Sequence, residues 1–265
     1  MAEMITNTSL AAWVEQIEPY DSYLAGRIGR EPLNPYALAA DLGLPVPIYR
    51  KFDVVQHFLD KPDEGLQPLL SAGVTSFYVG GRTTVQSLYG FRNNQPLRAE
   101  EIVPFLRETV MPEDVGKYNL RVAEFLQGIC VVAQICRDGT IELDIGIGTT
   151  LPKLTGGRKT PDFTANNKRT ADNPTGKLRY FTREYGDDGA IATKLLTGEV
   201  ESPEITTSVR TAIWRGISAL PPMAVESDIY VPRLPGRYEF AVVNHHGIDT
   251  AVFGDAQPFN KLSVE

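Results

Sequence analysis

Two short segments combine adjacent glycines with cations, a pattern that could hold a phosphate group. In the first, Gly156 and Gly157 are followed directly by Arg158 and Lys159. Adjacent glycines can turn successive backbone N–H groups toward one anion, and the two cations would neutralise its charge. The competing interpretation is a basic loop that only faces water. This segment is a candidate site for a phosphate or for an acidic substrate.

The second segment follows an apolar run. Gly80 and Gly81 precede Arg82, and they come after the β-branched and aromatic residues 74–79. This order predicts a buried strand that enters a glycine loop. A small, cationic loop at the end of a strand is suited to covering phosphates, although the pattern alone is no more specific than the first.

Two carboxylates near the C-terminus could hold a metal ion. Glu239 lies in the apolar run 238–244, which with the run 250–253 predicts a hairpin. A turn of three to five residues would bring Glu239 within a residue or two of Asp255. Two carboxylates can bind Mg²⁺ together with phosphate oxygens. A pair of exposed surface acids is the competing interpretation.

Other catalytic motifs are incomplete in this sequence. A P-loop needs Ser or Thr after Gly-Lys, but Gly-Lys at 116–117 precedes Tyr118 and Gly-Lys at 176–177 precedes Leu178. A nucleophile elbow beginning at Gly216 would need a second glycine where Leu220 stands. The three histidines form no H-x-x-x-H metal pattern. P-loop NTPases are excluded, and a serine hydrolase is disfavoured.

The elements that must position these residues follow from hydrophobic periodicity and from glycine and proline. Helices are predicted over 9–17, 35–43, 54–59, 65–71, 98–110 and 205–220. The clearest β pattern is 120–147, where the runs 120–126, 129–136 and 140–147 predict an antiparallel meander of three strands. Cys130 and Cys136 have even spacing on one strand and are predicted to be core thiols that share a face.

The segment 150–183 lacks periodicity and is strongly basic. It carries eight cations against two acids, a net charge of +6 that leaves −13 for the rest of the chain. A loop of this length without secondary structure is typical of a functional lid, a binding loop or disorder.

Composition limits the class of protein. The chain has 265 residues, 42% hydrophobic and 22% charged, with a net charge of −7. These values indicate a soluble globular protein that is not a general nucleic-acid binder. Two cysteines fit a reducing compartment, which favours the cytosol, and no apolar run is long enough to predict a membrane span or a targeting segment.

The order of these motifs resembles the ATP-grasp superfamily. Residues 38–47 (LAADLGLPVP) are similar to the opening signature of that family, 77–82 to its lysine-bearing strand and glycine-rich flap, and 99–106 to the helix that follows. Residues 120–128 (LRVAEFLQG), followed by a strand and by Asp138-Gly139, are similar to its hinge. The resemblance rests on the order in which these motifs follow one another along the chain.

The resemblance implies an α+β, ATP-grasp-like fold with an antiparallel β-meander subdomain and a larger C-terminal α+β subdomain. It divides the chain into an N-terminal helical extension (1–33), an N-terminal subdomain that includes the hinge meander (34–148), and a C-terminal subdomain with the basic loop and the terminal hairpin (149–265). The usual N-terminal substrate domain is missing, so a partner protein could supply it.

The resemblance also implies ATP and Mg²⁺ as cofactors. The main chain of Glu124, Phe125 and Leu126 would bind adenine, and the flap at Gly80 and Gly81 would cover the phosphates. Arg82, Arg158 and Lys159 would hold phosphates or the acidic substrate, with Gly156 and Gly157 in the same loop, and Glu239 and Asp255 would hold the metal. The expected activity is that of an ATP-dependent ligase or phosphotransferase acting on a small carboxylate.

This sequence departs from the family pattern at two places. Gly80 stands at the strand end, where the family has lysine, and Arg82 is the nearest cation. Glu239 and Asn244 are five residues apart, where the family has a closer metal-binding pair. These departures support an alternative, a non-catalytic nucleotide-sensing or regulatory protein whose basic segment 150–183 docks an anionic partner.

Overall fold

The computed structural model describes most of the chain, namely residues 2–5, 14–15, 17–19, 21–31, 33–185, 191–197, 202–226, 229–231, 233–245 and 247–257. Within these residues the protein is a mixed α/β structure whose strands all pair antiparallel. Two main sheets carry the strands, and a separate two-stranded ribbon accompanies them.

The first sheet has five strands in the order β1-β4-β3-β5-β2. These strands are β1 (Ala2–Ile5), β2 (Tyr49–Phe52), β3 (Phe77–Arg82), β4 (Gly90–Asn93) and β5 (Asn119–Glu124). One face packs against three helices, α3 (Val55–Asp60), α4 (Pro62–Ser71) and α5 (Ile102–Thr109). A short 3₁₀ turn, Ala99–Glu101, precedes α5. Phe58, Phe77 and Leu106 are fully buried there. The other face is turned toward the second sheet.

The second sheet has seven strands in the order β10-β9-β8-β7-β6-β13-β14. They are β6 (Gln127–Ile135), β7 (Ile141–Thr150), β8 (Phe163–Asn166), β9 (Arg179–Tyr185), β10 (Ile191–Leu195), β13 (Gly236–His245) and β14 (Ile248–Gln257). One face packs against α1 (Ser22–Ile28), α2 (Pro35–Asp41) and α7 (Thr207–Ser218) in the largest apolar core. A short helix, α6 (Leu151–Thr155), packs on β6, β7 and β13. The separate two-stranded ribbon consists of β11 (Met223–Glu226) and β12 (Ile229–Val231).

Most predicted helices are confirmed near their predicted positions. Proline begins α2, and Thr206 caps α7 by accepting a hydrogen bond from the Val209 amide at 3.3 Å. The helix predicted over 9–17 lies mostly outside the described residues, although Ile17 is helical and buried. No helix in the described part of the chain is both long enough and apolar enough to cross a membrane.

The predicted meander over 120–147 is wrong in one respect. The first run forms β5, which lies between β3 and β2 in the first sheet, whereas the second and third runs form β6 and β7 of the second sheet. The chain passes from one sheet to the other at Phe125 and Leu126. Periodicity shows where strands are but not which neighbours they pair with, so the break between sheets was invisible in the sequence.

The segment 150–183 is also more ordered than predicted. It contains α6, β8 and the first part of β9, and several of its cations are paired with acids. Lys159 lies 2.8 Å from Asp162, Lys168 lies 2.6 Å from Glu142, and Arg179 lies 2.6 Å from Asp172. The strands are short and polar on one face, so hydrophobic periodicity did not reveal them.

Candidate functional site

A narrow cavity lies between the two sheets where the chain passes from one to the other. It holds about 30 Å³. One side of the cavity is formed by the first sheet and α2, and the other side by α6, β13 and β14. The lining residues are Tyr36, Tyr78, Arg92, Glu124, Phe125, Leu126, Leu151, Pro152, Glu239, Gly254 and Asp255. The hinge residues and both candidate metal ligands therefore share one cavity.

The predicted carboxylate pair forms on neighbouring strands. Glu239 on β13 is the direct register partner of Asp255 on β14, and both side chains face the same side of the sheet. Glu239 is 1% exposed and Asp255 is 4% exposed. A β-bulge follows directly, between Glu239 and Phe240. The alternative of two exposed surface acids is therefore wrong.

Arg82 binds Asp255 across the gap between the sheets. Its Nη2 donates to Oδ1 at 2.6 Å and to Oδ2 at 2.7 Å, and the arginine is itself 8% exposed. Burial alone would raise the pKa of Asp255, but Arg82, Arg121 and Arg92 together lower that pKa below its usual value. Asp255 is thus a buried carboxylate that stays ionised.

Glu239 has weaker compensation. Arg92 Nη1 lies 3.4 Å from Oε2, and Arg237 Nη2 lies 3.9 Å from Oε1. The Oε1 atom is buried and has no hydrogen-bond partner. Burial raises the pKa of Glu239, and Arg92 opposes this shift without cancelling it. This carboxylate therefore lacks a close cation on one of its two oxygens.

The short helix α6 accepts hydrogen bonds from the arginines that surround Glu239. Arg92 Nη2 donates to Thr155 Oγ1 at 2.7 Å, and Arg237 Nη2 donates to the Thr155 carbonyl at 3.0 Å. Leu151 and Pro152, from the start of α6, form part of the apolar wall of the cavity. A movement of α6 would change both the wall and the arginines.

Glu239 and Asp255 are two residues of this cavity that could hold a metal ion. Magnesium prefers one or two carboxylates and completes its shell with phosphate oxygens and water. Glu239 and Asp255 provide two carboxylates in register, and Glu239 Oε1 is a buried acceptor without a donor. Among the described residues no cluster of three or more His, Cys, Asp or Glu side chains could hold a metal. A metal ion at this pair would need its remaining ligands from water or from a bound group.

The hinge offers fewer free backbone groups than the resemblance implies. The Glu124 amide donates to the Ile48 carbonyl at 2.9 Å, and the Phe125 amide donates to the Ser76 carbonyl at 3.0 Å. Both amides are therefore already used within the protein. Of the three hinge amides, that of Leu126 makes no such hydrogen bond to another described residue.

Gly80 and Gly81 do not form a loop. Both lie within β3, where Gly80 pairs with Arg92 and Arg121 and Gly81 pairs with Phe91 and Leu120. A methyl group on Gly81 would overlap the Phe91 ring, and one on Gly80 would lie 2.5 Å from the Tyr78 hydroxyl. These glycines serve the close packing of aromatic rings, and the connection that could cover a ligand is 83–89. The prediction of a glycine loop is wrong because β3 continues past its β-branched and aromatic residues and includes both glycines.

Gly156 and Gly157 do not form an open nest either. They end α6, and the four amides 156–159 donate to carbonyls of that helix at 3.0–3.3 Å. Gly157 has a φ of 67°, the left-handed conformation that is common after a helix. Because these N–H groups are satisfied by the helix end, they are not directed at a ligand.

Arg158 and Lys159 lie in a second, open groove rather than in the cavity. The groove is wide, at about 620 Å³, and its lining is Ile147, Arg158, Lys159, Thr160, Pro161, Asp162, Phe163, Thr182, Arg183 and Glu204. The structure therefore separates these two cations from Arg82, which belongs to the cavity cluster. Helix α6 connects the two places, since its first residues line the cavity and its end leads into the groove.

Several residues of the site are missing from the sequence prediction. Arg92, Arg121, Tyr36 and Tyr78 all surround the acid pair, and Arg92 and Arg121 are 4% and 7% exposed. A signal was present for Arg121, because this arginine stands inside the apolar run 120–126. Charged side chains are almost never fully buried unless they are paired.

Cys130, Cys136 and His57 are not among the residues that line the cavity. Cys130 is buried, as predicted, whereas Cys136 follows the end of β6 and is half-buried. Burial raises the pKa of the Cys130 thiol to about 12. His57 lies on α3, His245 ends β13, and His246 is outside the described residues.

Comparison with known proteins gives few matches. No family model and no curated protein matches the chain. Among solved structures, the chain is similar to an L-amino acid ligase from Bacillus licheniformis, with 10% sequence identity and a TM-score of 0.29. The match covers 80% of this chain and 56% of the ligase, so the chain spans little more than half of that protein. A TM-score this low does not establish a shared fold.

Proposed function

We propose that this chain is an ATP-grasp-type protein that binds ATP with Mg²⁺ between its two sheets and acts as a ligase or phosphotransferase on a small carboxylate or a similar acceptor. The supporting observation is the shared cavity. Residues 124–126 and the pair Glu239 and Asp255 are far apart in sequence, yet they line one space at the junction of the sheets.

The apolar side of the cavity is suited to a base. Phe125, Leu126, Leu151 and Pro152 form this side, and the first three are less than 9% exposed. The Leu126 amide is the hinge donor that remains for a ring nitrogen. A flat aromatic ring gains from apolar contact on its faces and from one or two polar contacts at its edge.

The charged side is suited to a phosphate chain. Glu239 and Asp255 would hold Mg²⁺, which when bound neutralises phosphate charge and orients the chain. Arg82 and Arg92 lie on the opposite side of the gap, each within 3.4 Å of one of these acids. Guanidinium groups bind phosphate oxygens with paired, charge-assisted hydrogen bonds. Fixed charges of this kind stabilise phosphoryl transfer mainly by position and neutralisation.

For a ligand to enter, the arginine–carboxylate ion pairs between the two sheets must break, and the arginines must contact the ligand instead. A cavity of about 30 Å³ is roughly the share of one water molecule in the liquid. The nucleotide therefore needs more space than the closed arrangement offers. Arg82 and Arg92 would then donate hydrogen bonds to phosphate oxygens instead of to the carboxylates, so each arginine would still have an anionic partner.

Arg158 and Lys159 are proposed to bind the acidic acceptor in the neighbouring groove. With Arg183 they place three cations around it, against Asp162 and Glu204. Changing Arg158 and Lys159 to Ala should raise the KM for the acceptor about tenfold and leave ATP affinity unchanged, in line with the loss of surface charge contacts. A changed ATP affinity would instead assign this pair to the nucleotide.

Calorimetric titration of ATP with and without Mg²⁺, followed by an assay for ADP, tests the nucleotide site. We expect micromolar binding that depends on Mg²⁺, and ADP release when suitable carboxylates and amines are added. Glu239→Gln should remove the Mg²⁺ dependence, whereas Glu142→Gln, on the half-buried part of β7, should not. Absence of binding at millimolar ATP would refute the proposal.

A second candidate function is a non-catalytic nucleotide sensor whose segment 150–183 docks an anionic partner. It is favoured by the arginine partners of both acids and by the absence of a cation at Gly80. The pairing of Lys159, Lys168 and Arg179 with acids reduces the charge that this segment can offer. If docking is driven by counterion release, the affinity for the anionic partner should fall steeply between about 50 and 200 mM salt. The expected loss is roughly tenfold for each tenfold rise in salt and for each phosphate neutralised. Binding of ATP in the enclosed cavity should depend less on salt.

A further inference from the structure

Gly80 lies between two arginines in one row of the first sheet. It pairs with Arg92 on β4 and with Arg121 on β5, so the three residues face the same side of the sheet. Because Gly80 has no side chain, a gap separates the two cations. The Tyr78 ring covers this gap, since an added Cβ on Gly80 would lie 2.5–2.8 Å from its outer atoms.

Arg121 is buried, and no carboxylate of the described residues lies at hydrogen-bonding distance from it. Its Cζ lies 4.0 Å from the Tyr36 ring centroid and 5.3 Å from that of Tyr78, and its side chain is hydrogen-bonded to Tyr78. The Nε and Nη1 atoms are buried and have no hydrogen-bond partner. Buried donors without an acceptor are costly, and charged ones especially so. Two guanidinium donors thus remain for a group that the protein does not supply.

Among the described side chains, the buried cations around this gap outnumber the buried carboxylates. The guanidinium groups of Arg82, Arg92 and Arg121 surround the carboxylates of Glu239 and Asp255. Arg82 and Arg92 each contact one of these acids, and Arg121 has no described acid of its own. At low local dielectric an excess positive charge attracts an anion strongly.

The space beside Arg121 shares one lining side chain with the cavity between the sheets. A second, smaller cavity of about 10 Å³ is lined by Leu33, Tyr78, Gly80, Gly81, Arg82, Phe91, Asn119 and Arg121. Tyr78 lines both cavities. Rotation of this ring would therefore join them and uncover Gly80.

We propose that Arg121 binds a phosphate group of the ligand in the gap at Gly80, with the ring of Tyr78 as the gate to this site. The inference rests on the proposed nucleotide site and adds to it a buried cation from the neighbouring strand. Arg121 would be a binding residue for the phosphate chain, and the tyrosines on either side would hold its guanidinium plane in position.

The test compares three probes by calorimetry: ATP, inorganic tripolyphosphate and adenosine. Arg121→Met keeps the length of the side chain and removes its charge, Arg121→Lys keeps the charge and removes the planar fork, and Arg107→Met removes an exposed arginine from α5 as the control. Thermal unfolding of each variant shows whether it is folded. If Arg121→Met does not fold, Arg121→Lys carries the test.

We expect Arg121→Met to weaken ATP and tripolyphosphate about 10- to 100-fold, the loss typical of a charge-assisted contact. Arg121→Lys should weaken both several-fold, and adenosine affinity should stay unchanged in every variant. Equal affinities of wild type and folded variants for ATP and tripolyphosphate would overturn the inference and leave the nucleotide site intact. Tripolyphosphate binding without ATP or adenosine binding would support the anion site and refute the proposed function. No tripolyphosphate binding to the wild type would overturn the inference.

Discussion

At the scale of single residues, Glu239 and Asp255 differ in how their charges are compensated. Asp255 accepts two hydrogen bonds from Arg82, and three arginines lower its pKa. Glu239 has one long contact to Arg92 and an oxygen without a donor, and burial raises its pKa. Two neighbouring carboxylates with shifts of opposite sign are typical of functional sites.

The raised pKa of Glu239 predicts a pH dependence of metal binding. As the pH falls through that pKa, Glu239 takes up a proton and loses the charge that attracts Mg²⁺, while Asp255 remains ionised. The Mg²⁺-dependent part of ATP affinity should therefore decrease on acidification, beginning at a pH above the ordinary titration of glutamate. Calorimetry between pH 5 and 8 measures this, and the Glu239→Gln variant corrects for protonation of ATP itself. An unchanged Mg²⁺ dependence across this range would contradict the assignment.

The two cysteines should differ in reactivity. Burial raises the pKa of Cys130 to about 12 and also raises that of the half-buried Cys136. Because the thiolate is the reactive form, Cys130 should not react with a thiol reagent at pH 8 until the protein unfolds, and Cys136 should react slowly. Mass spectrometry after timed alkylation with and without urea identifies the site. Rapid labelling of Cys130 in the folded protein would contradict this account.

At the scale of elements, strand β3 serves two functions. Its odd-numbered residues, Phe77 and Val79, pack into the core beneath the first sheet, and Tyr78 and Arg82 face the site. Gly81 allows the Phe91 ring to lie against the strand. The site therefore depends on packing on the opposite face of the same sheet.

This packing predicts unequal effects of two glycine substitutions. Gly81→Ala should destabilise the protein by about 1 to 3 kcal/mol, the usual cost of overpacking, because its methyl group would overlap Phe91. Gly26→Ala is the matched control, since Gly26 lies in the exposed part of α1 with nothing within 4 Å. It should stabilise by about 0.5 to 1 kcal/mol through helix propensity. Urea unfolding monitored by circular dichroism measures both, and a neutral Gly81→Ala would contradict the packing described here.

At the scale of the whole molecule, buried ion pairs connect the two sheets. Arg82 and Arg92 from the first sheet contact Asp255 and Glu239 from the second, and Arg92 also contacts Thr155 on α6. A buried pair contributes little net stability, but the loss of one partner leaves an uncompensated charge.

A double-mutant cycle on Arg82 and Asp255 should reveal this connection. Arg82→Met alone should destabilise the folded state by about 3 kcal/mol, because it leaves Asp255 buried beside fewer cations. The double variant Arg82→Met with Asp255→Asn should lose less than the sum of the single variants, with a coupling of about 1 to 3 kcal/mol. Urea unfolding of the four proteins measures the coupling. Additive effects would show that the two side chains do not form this pair.

Several parts of the fold followed from the sequence because they depend on local rules. Proline and glycine marked the ends of α2, and hydrophobic spacing predicted α7. Two apolar runs predicted the terminal hairpin, with Glu239 within a residue or two of Asp255, and the two residues are direct register partners. The hinge residues were selected from motif order, and they line one cavity with the acid pair.

Other parts could not be predicted because they depend on contacts between distant segments. The sequence alone determined five helices (α2, α3, α4, α5 and α7), six strands (β3, β5, β6, β7, β13 and β14) and the burial of Cys130, since periodicity and chain direction decide these. Only the tertiary structure decided that β5 leaves the meander, that the amides after α6 are used by the helix end, and that Arg158 and Lys159 lie apart from Arg82. It also decided that Arg92 and Arg121 surround the acids, because strand pairing and the closing of one sheet on the other bring these charges together.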